Sequence, residues 1–138
     1  MRPILVAAVA ALFCGNVRAE SDEALLLKMQ RTVSLFECGN LVKTKEERRP
    51  FLDAGMKSGR EFLTALNGDR GLYDRIWGRI DFVFFYDSPT IDFQLGAAFA
   101  ALGDRVSNAM QQSTKSVEDV NIANSKAFVA KNCALIVR

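Results

Sequence analysis

The sequence predicts an all-α protein: about four main helices in a compact bundle, stapled by one disulfide. Three observations carry that expectation. Apolar residues recur every three or four positions over long segments, which is the period of a helix face. The 138 residues contain only three prolines and no hairpin signal between alternating runs. Two cysteines, Cys38 and Cys133, lie near the two ends of the chain beyond the leader.

The leader is residues 1–19. Arg2 supplies a positive start, residues 4–14 are apolar, and the small residues Val17 and Ala19 precede Glu20. This is the pattern of a signal peptide, and its apolar run is well short of the ~20 residues a membrane span requires. The expected organisation is 1–19 signal peptide and 20–138 single helical domain, in the periplasm or secreted. Cys14 follows Phe13, too large a residue to precede a lipidated cysteine.

Loss of the leader changes the chemistry of what remains. The full chain has 18 Lys+Arg and 16 Asp+Glu; Arg2 and Arg18 belong to the leader, leaving 16 of each and no net charge. A neutral chain has no basic surplus for nucleic acid, and no later segment is apolar and long enough for membrane insertion after signal removal. Loss of Cys14 leaves an even pair, Cys38 and Cys133. In an oxidising compartment such a pair predicts a disulfide. It would close a loop of about a hundred residues, worth ~4–5 kcal/mol on chain entropy. The alternative is two buried thiols; a redox pair lacks its C-x-x-C spacing.

The first helix is expected from about Ser21 to Val42. Ser21 caps it, Asp22 and Glu23 suit its positive end, and Leu26, Met29, Val33, Phe36 and Asn40 form a stripe, with Leu25 and Cys38 nearby. The second begins near Thr44, which has capping-box spacing to Glu47. Pro50 falls deep for a helix start, so either a short turn of Lys45–Arg49 comes first or the helix is kinked. Beyond it Phe51, Gly55, Gly59, Phe62 and Leu66 share a face, and Asn67-Gly68 ends the helix. Gly55 and Gly59 form a G-x-x-x-G, expected to let another helix approach closely; the alternative is a shallow groove for a partner backbone.

Residues 69–87 leave alternatives open. A short helix fits Gly71–Gly78, and Ile80–Tyr86 fits either an extended segment or the last turns of a helix. With Trp77, this aromatic stretch is either a core plug or a partly exposed contact surface. Ser88-Pro89 has the form of a helix start, followed by a helix to about Gln112. That helix carries a large stripe, Ile91, Leu95, Phe99, Leu102, Val106 and Met110, beside a small one, Gly96, Ala100, Gly103 and Ser107. Such a helix belongs in the centre, its small face against Gly55 and Gly59. The last helix starts at Ser116, presents Val120, Ala123, Ala127 and Ala130, and ends at Cys133. A Cys38–Cys133 bond would then tie the first and last helices at their C-terminal ends.

The sequence contains no histidine. This removes Ser-His-Asp and Cys-His nucleophiles, histidine bases and histidine metal sites. Oxidised cysteines would remove thiolate zinc sites, and the glycines form no phosphate-binding motif. No cofactor and no metal is expected. Asp81, Asp87 and Asp92 are the carboxylates left for acid–base work, as in glycoside hydrolysis, or for calcium; they lack EF-hand spacing. Arg75 and Arg79, four apart, form either a small contact face for anions or a solvated helix side.

Four short signatures resemble a group of small exported proteobacterial proteins of unassigned function, also met near phage-derived genes: Phe36-Glu37-Cys38; Phe51-Leu52-Asp53-Ala54-Gly55 with Gly59 and Phe62; Ser88-Pro89-Thr90-Ile91-Asp92-Phe93 with Gly96; and Phe128-Val129-Ala130-Lys131-Asn132-Cys133. The resemblance implies export, a helical fold and a Cys38–Cys133 pair, and transfers no catalytic residue. In outline the chain is also similar to exported immunity proteins that neutralise cell-wall-degrading toxins.

The expectation is a non-enzymatic protein that binds another macromolecule, a second periplasmic protein, through Trp77, Tyr86, Arg75, Arg79 and Asp87, with an inhibitor or immunity protein as the sharper form of that expectation. A structural or assembly subunit of the envelope and a small carboxylate-only hydrolase are the alternatives. The leader is directly testable: intact-mass measurement on the periplasmic fraction of an expressing bacterium should find a chain that begins at Glu20, and retention of residues 1–19 would refute the cleavage.

Overall fold

The computed structural model describes residues 20–113 and 116–137; the expected leader, residues 1–19, lies outside the described residues. These residues form six α-helices and, among them, no strand: α1 (Asp22–Leu41), α2 (Lys45–Gly68), α3 (Arg70–Ile76), α4 (Ile91–Ser113), α5 (Val117–Ala130) and α6 (Cys133–Ile136). Two 3₁₀ turns, Trp77–Arg79 and Phe82–Phe84, lie between α3 and α4. The all-α class holds, and the count is six rather than about four. The additions are short. α3 opens the aromatic segment, and the last helix is divided because Asn132 adopts the left-handed conformation, φ 52°, which asparagine tolerates better than most residues.

Local chemistry accounts for the helix ends. Ser21 Oγ accepts from the Ala24 N–H at 3.2 Å and Ser116 Oγ from Asp119 at 3.1 Å. Thr44 and Glu47 complete the capping box. α2 runs unbroken through Pro50, so no separate turn precedes it. The carbonyl of Glu46 loses its intrahelical donor there, but both residues are exposed and solvent can replace it. The start of α4 differs from expectation. Thr90, not Ser88, is the cap: its Oγ1 accepts from the Phe93 N–H at 3.2 Å, while Ser88 Oγ donates to the Thr90 carbonyl at 2.9 Å. Two residues of capping type compete here, and the one adjacent to the apolar period wins.

The central helix is α1 rather than α4. It contacts α2, α3, α4, α5 and α6, and it buries a wide face that includes Leu25, Met29, Thr32, Leu35 and Phe36. The glycines of α2 receive large side chains, not the small stripe of α4. A Cβ at Gly55 would enter the Phe36 ring, and one at Gly59 would meet Leu95 and, at 3.1 Å, Thr32 Cγ2. Gly96 faces open space and Ala100 is exposed. Gly103 instead admits Asn40 of α1, whose Nδ2 donates to the carbonyls of Phe36 and Phe99 at 2.9 and 3.2 Å.

The core has two parts. The larger joins α1, α2 and α4 to the aromatic segment through residues such as Phe36, Phe62, Phe84 and Leu102. The smaller is Leu35, Cys38, Leu41, Phe51, Val106 and Cys133. Cys38 and Cys133 are disulfide-bonded, with Cα atoms 5.6 Å apart. The bond ties the late part of α1 to the first residue of α6, beyond the end of α5, and so does not join two helix C-termini. α5 contains no fully buried residue, and Cys133 is the one buried residue of α6.

A double Cys38→Ala/Cys133→Ala variant should therefore lose about 2–5 kcal/mol of stability. Hydrogen exchange should show the loss concentrated in α5 and α6. Equal loss of protection in α1, α2 and α4 would contradict the two-part core.

Candidate functional site

The segment from α3 to α4 is anchored by five buried residues spread along it. Leu72, Ile76, Ile80, Val83 and Phe84 are buried, and Phe84 meets Phe62 of α2 edge-on with centroids 5.5 Å apart. The intervening side chains are left outside. Trp77 is 50% and Phe82 63% exposed, and Tyr73, Phe85 and Tyr86 are exposed with them. The segment is thus both a core plug and an exposed aromatic surface, divided residue by residue.

Three of the exposed rings touch in series. Tyr73 and Trp77 lie 5.1 Å apart between centroids, and Trp77 and Phe85 lie 4.4 Å apart. A shallow depression of about 370 Å³ adjoins them, lined by Leu66, Asn67, Arg70, Tyr73 and Asp74. Tyr73 was not among the residues expected here. Its i, i+4 spacing to Trp77 across a helix turn is the signal that marks it.

Arg75 and Arg79 do not form a free basic face, which corrects one expectation. Arg75 grips Asp22 through two hydrogen bonds of 2.9 and 3.0 Å, and Arg79 grips Glu23 through two of 2.7 and 2.9 Å. Both acids lie in the first turn of α1, so the arginines clamp the aromatic segment to that helix. The guanidinium hydrogen bonds hold both carboxyls below their ordinary range and raise both arginines.

The three candidate carboxylates are in different situations. Asp81 receives Arg105 at 2.9 and 3.2 Å and the Val83 N–H at 3.2 Å. The same guanidinium lies 4.9 Å from the centroid of Phe82. Burial would push Asp81 up, but the Arg105 and Val83 hydrogen bonds outweigh it and hold the carboxyl low. Asp92 receives Arg60 at 2.6 and 3.1 Å, and that hydrogen bonding lowers it. Asp87 is exposed and has no ion pair among the described residues. No three of the Cys, Asp and Glu side chains described form a metal-binding group. No described helix is long and apolar enough to cross a membrane.

The chain matches no family model, no curated protein and no solved structure.

Asp81 gives these pairs a pH signature. Its folded value lies below the ordinary 3.8, so its contribution to stability is present above about pH 5 and is lost as pH falls through the folded value. Asp81→Asn should cost about 1 kcal/mol at neutral pH, because solvent screens a partly exposed pair. Urea unfolding should show the difference from wild type shrinking as pH falls below 3.8 toward the lower folded value. A difference that does not change with pH would mean that the ion pair is not its source.

Proposed function

We propose that this is an exported, non-catalytic domain that binds another protein through the aromatic surface around Trp77. One observation carries the reading: Tyr73, Trp77 and Phe85 form a continuous exposed series on a segment whose neighbouring residues are buried. Exposed aromatic surface on a fixed support is characteristic of contact surfaces, where Trp, Tyr and Arg carry much of the binding energy. Such a surface needs little ordering when it binds, which conserves affinity. An inhibitor or immunity-type protein of the periplasm is the sharper form of the proposal. The leader and the Cys38–Cys133 bond support an oxidising destination.

The carboxylate-only hydrolase has less support. A general acid needs a raised pKa, whereas Asp81 and Asp92 are lowered by their arginines. The assembly-subunit reading requires contact between copies, which sedimentation over a wide concentration range would detect.

The test is a pull-down from periplasmic extract with wild type and Trp77→Ala in parallel, followed by affinity measurement on the protein that the variant fails to retain. Trp77 is half-exposed, so the variant should keep the wild-type circular dichroism and bind at least about tenfold more weakly. Equal retention by the two proteins would remove this surface from the function.

A further inference from the structure

We propose that the partner presents arginines to this surface, and that the adjacent pairs Tyr73-Asp74 and Tyr86-Asp87 receive their guanidinium groups. The inference rests on the contact-surface reading above and names the chemistry of what binds there.

Charge is unevenly distributed along the chain. Residues 61–104 contain seven acids, three arginines and no lysine, a net charge of −4. Residues 28–60 contain eight cations and four acids, a net charge of +4. The aromatic surface thus belongs to the acidic stretch of a chain that is neutral beyond its leader. Arg75 and Arg79 are held by Asp22 and Glu23, and Glu61, Asp69, Asp81 and Asp92 are likewise in ion pairs, so Asp74, Asp87 and Asp104 face a single remaining arginine, Arg70.

Within that stretch an aspartate adjoins an aromatic residue four times: Tyr73-Asp74, Asp81-Phe82, Tyr86-Asp87 and Asp92-Phe93. Asp81-Phe82 shows what such a pair can hold. Arg105 donates to both carboxylate oxygens of Asp81 and also lies over the Phe82 ring, 4.9 Å from its centroid. The carboxylate takes the fork of N–H donors and the ring face takes the charge, a combination suited to arginine more than to lysine. Asp92 is occupied by Arg60. Asp74 and Asp87 have no ion pair among the described residues, and each is exposed beside an exposed tyrosine. Arg70 lines the same depression as Asp74 without pairing with it. Tyr73 belongs to the Trp77 series and Tyr86 follows its member Phe85 in sequence, so a partner that covers the rings brings its cations to these acids.

Trp77 is the only tryptophan of the chain and reports on the surface directly. The probes are three synthetic peptides of about twelve residues built from Arg-Ser-Leu, Gln-Ser-Leu and Glu-Ser-Leu repeats, titrated at low salt. The arginine peptide should change Trp77 emission saturably, with a midpoint at least about tenfold below that of the glutamine peptide. The advantage should fall to about twofold at high salt, and to about twofold in Asp74→Asn/Asp87→Asn, whose substituted residues are exposed. Equal midpoints for the arginine and glutamine peptides would overturn the arginine preference and leave the contact surface standing. An advantage undiminished in the double variant would also overturn it, since other acids would then be responsible. If no peptide alters the emission, the arginine inference falls, and the surface itself is judged separately by the Trp77→Ala pull-down.

Discussion

The close approach of α1 and α2 is the constraint on which the other contacts depend. Phe36 of α1 lies where a side chain at position 55 would be, and Leu95 of α4 lies where one at position 59 would be. Glycine in a helix interior costs about 1 kcal/mol relative to alanine. Full burial of a phenylalanine or leucine side chain contributes about 1.5–3 kcal/mol, so each exchange favours the packed state. The polar groups at the contact are also satisfied. Thr32 Oγ1 donates to the Lys28 carbonyl at 2.8 Å, and Ser58 Oγ donates to the same oxygen from α2 at 3.0 Å. With α2 so close on one side, α1 can bury residues around most of its circumference and serve as the support for the remaining helices.

The aromatic surface depends on that support. Leu72, Ile76, Ile80, Val83 and Phe84 enter the same core cluster as Phe36 and Phe62, and this burial supplies the anchoring. The Arg75 and Arg79 pairs are solvent-exposed, and such pairs add little stability. Their two-point geometry instead fixes how the segment meets the first turn of α1. The same contacts occupy two arginines that would otherwise offset the neighbouring aspartates. Packing therefore sets the position of the surface, and ion pairing sets its residual charge.

The sequence discloses the face of each helix more readily than the partner of that face. The stripe Phe51, Gly55, Gly59, Phe62 and Leu66 was legible because a 3.6-residue period is local, and all five residues are buried. What enters the glycine groove is a tertiary matter. Matching small residues to small residues pointed to the small stripe of α4, whereas Phe36 of α1 and Leu95 from the large stripe of α4 fill the space. The Arg75 and Arg79 contacts were hidden for the same reason, since their acids lie 53 and 56 residues away in sequence. Residues 69–87 resisted assignment because they combine one short helix with two 3₁₀ turns, too brief for any period to emerge. Residue type marked Trp77, Tyr86 and Asp87 as candidates but could not choose between a core plug and an exposed surface; Tyr73 was not marked, although it touches Trp77.

The disulfide and the aromatic surface lie at opposite ends of α1. Asp22, which holds Arg75, precedes Cys38 by sixteen residues, or about 24 Å along a helix. The covalent bond therefore cannot position the rings directly. Its mechanical role is confined to the C-terminal end of α1, where α5 and α6 contribute Cys133 as their only fully buried residue. The two ends consequently solve different problems. At one end a covalent bond retains helices that bury too little surface to hold themselves. At the other, buried aliphatic and aromatic residues are sufficient, and the chain can leave Tyr73, Trp77 and Phe85 in solvent without loosening the segment that carries them.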